Sequence, residues 1–409
     1  MVLKETEVKN NIEDMNILHI SIDAAFMDDS GYQETLLAKY HNTLCNKVTI
    51  VATNLVLEKT GKITLCGEKT YYNKDGVKII RLRCFNKEGH RIIQFRNIYK
   101  ILFYEKIAFI MIHSILSFDI WAAVIYKYHV NPKCVIVADS HCTKENHNPY
   151  TIKDIIFRAL LIPSNRLFSR WCTTVYGVSP ETIDFMKKYL GIPSCKIDLL
   201  GLGYDGSLIE KKNKSEIRRV IREKNKIATG SYVIIHGGKI NEGKKTLELV
   251  KSTQYLPDDI VLIIFGDYAD NSYKDAVMKE IEYSTHQILH VGFLEQKEIY
   301  DYYLASDLAV FPGSASVLRQ QAVAAGLPII VCLDADEDNI NLQINDNAIC
   351  LRPNWKIERL SEAILKIYKD SAYQYRAEEV SRNEYRKYSY EEQAKAIIDK
   401  NIKKNRGDK

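Results

Sequence analysis

The sequence contains no Cys-x-x-Cys pair, and its nine cysteines, odd in number, lie scattered from Cys45 to Cys350. That removes the ligand spacing of a zinc site and of a dithiol redox centre, and it fits reduced thiols better than a disulfide framework. No Gly-x-x-x-x-Gly-Lys-Ser/Thr is present, and the loop after the first strand carries no Gly-x-Gly-x-x-Gly. The first absence argues against a nucleotide triphosphatase and the second against a dinucleotide oxidoreductase. Proline and glycine are scarce, 9 and 19 in 409 residues, which excludes collagen-like and low-complexity chains. Neither sign of charge dominates. The 57 Lys+Arg and 52 Asp+Glu leave a net +5, which implies no nucleic-acid partner and only a mild attraction to anions.

Long apolar runs are also missing. The stretch that approaches one, residues 107–126, is interrupted by His113 and Asp119 and reads as strand, loop and amphipathic helix. The first fourteen residues lack the apolar core of a secretory signal and read as a disordered leader before Met15.

What is present is a folded core of ordinary composition, 46% hydrophobic and 27% charged, with a mean hydropathy of −0.23. At roughly 100–200 residues per domain, the length predicts two domains. Short apolar runs recur, each followed by a helical pattern: NILHISID at 16–23, KVTIVAT at 47–53, AFIMIHSI at 108–115, CVIVADSH at 134–141 and TVYGVS at 174–179. A second series follows, SYVIIHGG at 231–238, DIVLIIFGD at 259–267, ILHVGF at 288–293, LAVFPG at 308–313 and LPIIVCL at 327–333. Alternation of buried strands with helices means parallel sheets, so two doubly wound α/β domains are expected in succession. The expected divisions are 15–205, 206–385, and a C-terminal helix with a basic tail at 386–409 that can pack back on the first domain. The basic run Lys211–Lys226 holds Glu216 and Glu223 and no aromatics, and reads as a solvated helix face.

In doubly wound sheets ligands bind beyond the carboxyl ends of the strands. The first such loop holds Gly31 ahead of a helix, either a phosphate-receiving turn or a plain tight one. The loop after VIIH, GGKINEGKK, frees the backbone at Gly238 and places Lys239 and Lys244 on either side of a turn, where they can neutralise a diphosphate or serve as surface lysines. The loop after LAVF brings Gly313, Ser314, Ser316 and Val317 to the start of a helix bearing Gln321, a phosphate-binding start or an ordinary cap. Asp139 and His141 end the VIVADSH strand, where His141 is either a site residue or a structural histidine and Asp139 can orient it or bind an acceptor hydroxyl. His19, His113, His236 and His290 are assigned to packing or loop hydrogen bonding. The acidic DADED at 334–338 tempts a metal reading but also suits an acidic surface turn.

Together these pieces resemble the retaining nucleotide-sugar glycosyltransferases of the GT-B fold, specifically the family 4, group 1 type. LLGLGYD at 199–205 looks like the family's interdomain segment and GGKINEGKK like its basic loop. HVGFLEQKEIYDYYLASDLAVFPG followed by QAVAAGLPII looks like its signature stretch. The match departs at the family's two glutamates, where Gly313 and Gln321 stand.

The resemblance implies two Rossmann-like domains facing a cleft and transfer of a sugar from a nucleotide diphosphate sugar to an acceptor hydroxyl with retention. A front-face mechanism, with a donor phosphate oxygen assisting removal of the acceptor proton, would account for the lack of a nucleophile. It implies Lys239 and Lys244 at the leaving diphosphate, His141 at the sugar or acceptor, and Asp139 on the acceptor side. Phe293 and Leu294 would lie against the nucleobase, Gln321 at the ribose, and Gly31, Gly238, Gly313, Ser314, Ser316 and Val317 on the donor. It implies no cofactor and no metal.

The acceptor would be a glycan or a lipid-linked one. HRIIQFRNIYKILFYEKI at 90–107 mixes Arg91, Arg96 and Lys100 with aromatics, which suits an anionic membrane surface as well as an ordinary amphipathic helix. A cytoplasmic enzyme of bacterial surface-polysaccharide or glycoconjugate synthesis, peripheral on the inner face of the plasma membrane, is the expectation. A GT-B nucleotide-sugar epimerase and a catalytically silent subunit are the alternatives.

Overall fold

The computed structural model describes residues 15–22, 25–28, 30–45, 47–58, 62–84, 95–104, 106–144, 151–210, 212–314, 316–333 and 342–407. The expected leader at 1–14, the DADED turn, and residues 90–94 and 105 of the basic aromatic segment lie outside them. The chain forms two compact units, residues 1–202 with 390–409, and residues 203–389.

The first unit begins β1 (Ile17–Ser21), α1 (Gln33–Cys45), β2 (Val48–Thr53), β3 (Leu55–Leu57), β4 (Ile63–Leu65), β5 (Lys69–Tyr72), β6 (Lys78–Leu82) and α2 (Ile98–Tyr104). It continues with β7 (Phe109–His113), α3 (Ile120–His129), β8 (Val135–Ser140), α4 (Ile152–Phe168), β9 (Thr174–Gly177), α5 (Pro180–Tyr189) and β10 (Ile197–Leu199). Eight of these strands make one sheet in the order β10-β9-β8-β7-β1-β2-β6-β5. Only the β5–β6 pairing in it is antiparallel. β3 and β4 form a separate antiparallel pair. The central strands FIMIH and VIVADS are buried at every position, because helices cover both faces of a parallel sheet.

The second unit runs α6 (Lys214–Lys224), β11 (Tyr232–Gly237), α7 (Thr246–Ser252), β12 (Ile260–Phe265), α8 (Asn271–Tyr283), β13 (Gln287–His290) and α9 (Gln296–Ala305). There follow β14 (Leu308–Phe311), α10 (Leu318–Ala324), β15 (Ile329–Cys332), β16 (Ala348–Leu351), α11 (Ile357–Lys369) and α12 (Ala372–Glu379). Its sheet is ordered β13-β12-β11-β14-β15-β16 and parallel throughout.

The chain then returns to the first unit as α13 (Tyr390–Arg406), which lays Tyr390, Ala394, Ile397 and Ile398 into the core layer beside α1. Gln393 Nε2 donates to the carbonyl of Gly201 at 2.7 Å, and Lys400 pairs with Asp198. The stretch 107–126 is β7, a loop and α3, and among the described residues no helix is long and apolar enough to cross a membrane.

In each sheet the strand order reverses beside the first strand laid down, between β1 and β7 and between β11 and β14. Such switch points open a crevice at the carboxyl ends of the strands, and the two crevices hold most of the candidate residues.

Candidate functional site

The loops after β11 and β14 meet at the second unit's switch point. Ser314 N donates to the Gly243 carbonyl at 2.7 Å, and Lys244 Nζ donates to the Ser314 carbonyl at 3.1 Å. Gly313 is required by this approach, since a Cβ there would stand 2.1 Å from Gly243 O. Gly238, at φ 120°, faces Leu318 and Ser316 from the end of β11. Five expected donor residues, Gly238, Lys244, Gly313, Ser314 and Ser316, are thus brought together. Lys239 is exposed at the start of the same turn, and Val317 is half-buried at the entry to α10.

Beneath this floor His236 ties the elements together. Its ring nitrogens pair with the Val310 carbonyl at 2.8 Å and Thr246 Oγ1 at 2.9 Å, and burial lowers its pKa to about 4. Gln321 is buried on α10, and its Oε1 has no hydrogen-bond partner among the described residues. An unpaired buried amide oxygen is costly, and a ligand hydroxyl is a group that can satisfy it. Arg319, not among the sequence candidates, is buried two positions before Gln321 and donates to the Gly313 carbonyl. Its signal was the single charged side chain of the buried helix LRQQAVA.

Two expectations need correcting. The Ser314 amide, expected free at a helix start, already serves the Gly243 carbonyl, so the two loops are tied to each other by it. Leu294 is packed in the second unit's core and offers no face to a nucleobase, whereas its neighbour Phe293 is 59% exposed.

The first unit's switch point gathers the remaining candidates, Asp139, His141 and the donor candidate Gly31. His141 is exposed just past β8, while Gly31 is half-buried just ahead of α1. Asp139 has no exposed surface, so it is placed to orient its neighbours rather than to meet an acceptor. Its Oδ2 lies 2.7 Å from His113 Nδ1 and accepts from Gln33 Nε2 at 3.4 Å, and its Oδ1 accepts from Ser114 N at 3.3 Å. Burial opposes ionisation of Asp139, but the charge and hydrogen bond of His113 outweigh it and hold the carboxyl below its usual range.

His113 continues to His19, with Nε2 to Nδ1 at 2.9 Å, and His19 to His41, with Nε2 to Nδ1 at 2.9 Å. His41 Nε2 ends the file at the Ala394 carbonyl on α13, 3.0 Å away. Assigning His19 and His113 to packing or loop bonding therefore missed a connected file of three buried histidines. Among the described residues no group of three or more His, Cys, Asp or Glu side chains is arranged to hold a metal ion.

Residues 217–391 match the family described as glycosyl transferases group 1. No curated protein sequence matches the chain. Among solved structures it is similar to Alr3699/HepE of Anabaena in complex with UDP, at 14% identity and TM-score 0.68, covering 94% of this chain and 100% of that one. It is similar to a glycosyltransferase from Rickettsia africae, at 14% identity and TM-score 0.68, covering 97% and 100%. It is also similar to WaaG, a glycosyltransferase involved in lipopolysaccharide biosynthesis, at 16% identity and TM-score 0.62, covering 93% and 99%. The group 1 glycosyl transferase match lies almost wholly in the second unit, and the chain shares the GT-B fold of these glycosyltransferase structures.

Proposed function

We propose that this protein transfers a hexosyl group from a UDP-sugar to an acceptor hydroxyl with retention of anomeric configuration, without a metal cofactor. The meeting of the β11 and β14 loops around Gly238, Lys244 and Gly313 carries the reading, because it sets an ammonium group beside backbone that only glycine allows so close. Lys244, with Lys239 at the other end of the turn, supplies positive charge for a departing diphosphate, the kind of preorganised term worth several kcal/mol in a transition state. Gln321 Oε1 supplies an acceptor for a ribose hydroxyl, and Phe293 a face for the base.

UDP as the carrier is supported by the HepE relatives, whose structures hold UDP and UDP-glucose. WaaG's part in lipopolysaccharide biosynthesis supports a glycan or lipid-linked acceptor in bacterial surface-polysaccharide or glycoconjugate synthesis. Tyr99 and Phe103 stand exposed on α2 beside Lys100, which supports cytoplasmic work at an anionic membrane surface.

The test is incubation with a set of UDP-sugars, with and without glycan acceptors, reading UDP release and the anomeric coupling of the product. Acceptor-dependent release with retained configuration supports the reading. Release without acceptor identifies an epimerase, inverted configuration overturns retention, and no turnover despite UDP binding identifies a silent subunit.

A further inference from the structure

The buried file from Asp139 through His113, His19 and His41 to the Ala394 carbonyl makes four hydrogen bonds in series. Each needs one proton. The carbonyl can only accept, so His41 donates from Nε2 and must accept at Nδ1. His19 therefore donates from Nε2 and accepts at Nδ1, and His113 in turn donates from Nε2. Three neutral imidazoles supply three protons, yet the fourth contact, between His113 Nδ1 and an Asp139 carboxylate, also requires one.

We infer that Asp139, His113, His19 and His41 form a single proton-binding site that holds one proton beyond the neutral count, resting on His113, and through it positions the end of β8 and helix α13 against the same sheet. The register supports this. β1, β7 and β8 are adjacent, with Ser21 opposite His113 and His113 opposite Asp139, so the side chains of His19, His113 and Asp139 share the face that α1 and α13 cover.

The surrounding layer is apolar, Met111, Phe109 and Val137 among it, and the Phe109 ring lies edge-on to His41. Burial accordingly lowers His19 well below the ordinary histidine value and His41 to about 4, which leaves His113, against the carboxylate, as the place for the extra proton. Among the described residues, His141 acts on Asp139 through its charge, and the buried Cys45 Sγ donates to the backbone carbonyl of His41 at 3.0 Å. At the far end Asp139 holds Ser114, whose backbone sits at φ 82°, a conformation that serine adopts only when its surroundings enforce it.

The full chain with 15N-labelled histidine tests this directly, by two-bond nitrogen-proton correlation at pH 7.5, and the readout does not depend on any transferase activity. The expected spectrum shows His19 and His41 as neutral Nε2–H tautomers and His113 with both nitrogens protonated. Asp139→Asn is the informative variant. Its amide can donate to His113 Nδ1, and the Gln33 Oε1, which lacks a partner among the described residues, can turn to accept, so all four contacts survive with every histidine neutral. A neutral His113 in the natural protein overturns the inference, whether or not the variant folds. So does a folded variant in which His113 stays charged.

Discussion

Gly313 lies so close to Gly243 that a methyl group on it would stand 2.1 Å from the Gly243 carbonyl oxygen, well inside contact distance. Gly313→Ala must therefore part the β11 and β14 loops. The expected outcome is a protein whose first unit unfolds as before and whose UDP affinity, read by calorimetry, falls by about tenfold or more, or about 1.4 kcal/mol.

Lys244 makes one charge-assisted contact with the Ser314 carbonyl and stands at the place proposed for the diphosphate. Lys244→Ala should weaken UDP by roughly 10- to 100-fold, the scale of a hydrogen bond to a charged group. Affinity of the natural protein should also fall with added salt. Equal loss for uridine, which has no phosphate, would place Lys244 elsewhere.

The strands were legible because a buried parallel strand is a short unbroken apolar run, as IVLIIF shows. The edge elements were not. β16 is four residues, AICL, and β5 is KTYY, mostly exposed and mostly polar, so neither carries a period that sets it apart from a loop. The glycine and lysine loops of the second unit were legible for a related reason, since each follows a strand whose end is plain in the sequence. The histidine file was hidden. Its contacts join residues 94, 22, 26 and 353 positions apart, and only the register of β1, β7 and β8 together with the packing of α1 and α13 on that face brings them together.

Acid should destabilise the fold through its buried imidazoles. His236 and His41 have pKa values lowered to about 4 by burial, while in the unfolded chain they titrate near 6.5. Below 6.5 the unfolded chain binds more protons, so stability is complete above that pH and falls as pH drops toward 4, by up to about 3 kcal/mol for each histidine. Urea unfolding at pH 7 and pH 4.5 should show it, with a shallower acid decline in His236→Asn. An unchanged midpoint between the two pH values would contradict this.

Asp307 accepts from Arg222 at 2.7 Å and Arg218 at 2.6 Å, and its Oδ2 also takes the Val233 amide at 2.8 Å. Arg222 is buried. Asp307→Ala removes the counter-charge of that guanidinium, leaving it the Ala305 and Ser231 carbonyls, and should cost the second unit about 3 kcal/mol, the lower end for removing one partner of a buried pair. In urea the second unit's transition should move to lower concentration while that of the first unit stays.

The central claim is that the second unit binds a nucleoside diphosphate at the β11 and β14 loops, and a thermal-shift panel with UDP, GDP, ADP, CMP and NAD, each with and without magnesium, tests it most directly. Ligand at about 100 times its dissociation constant adds about 2.7 kcal/mol, a rise of several degrees. The account predicts a magnesium-independent rise with UDP that Gly313→Ala and Lys244→Ala diminish. No rise with any nucleoside diphosphate, or a rise with NAD alone, would contradict it.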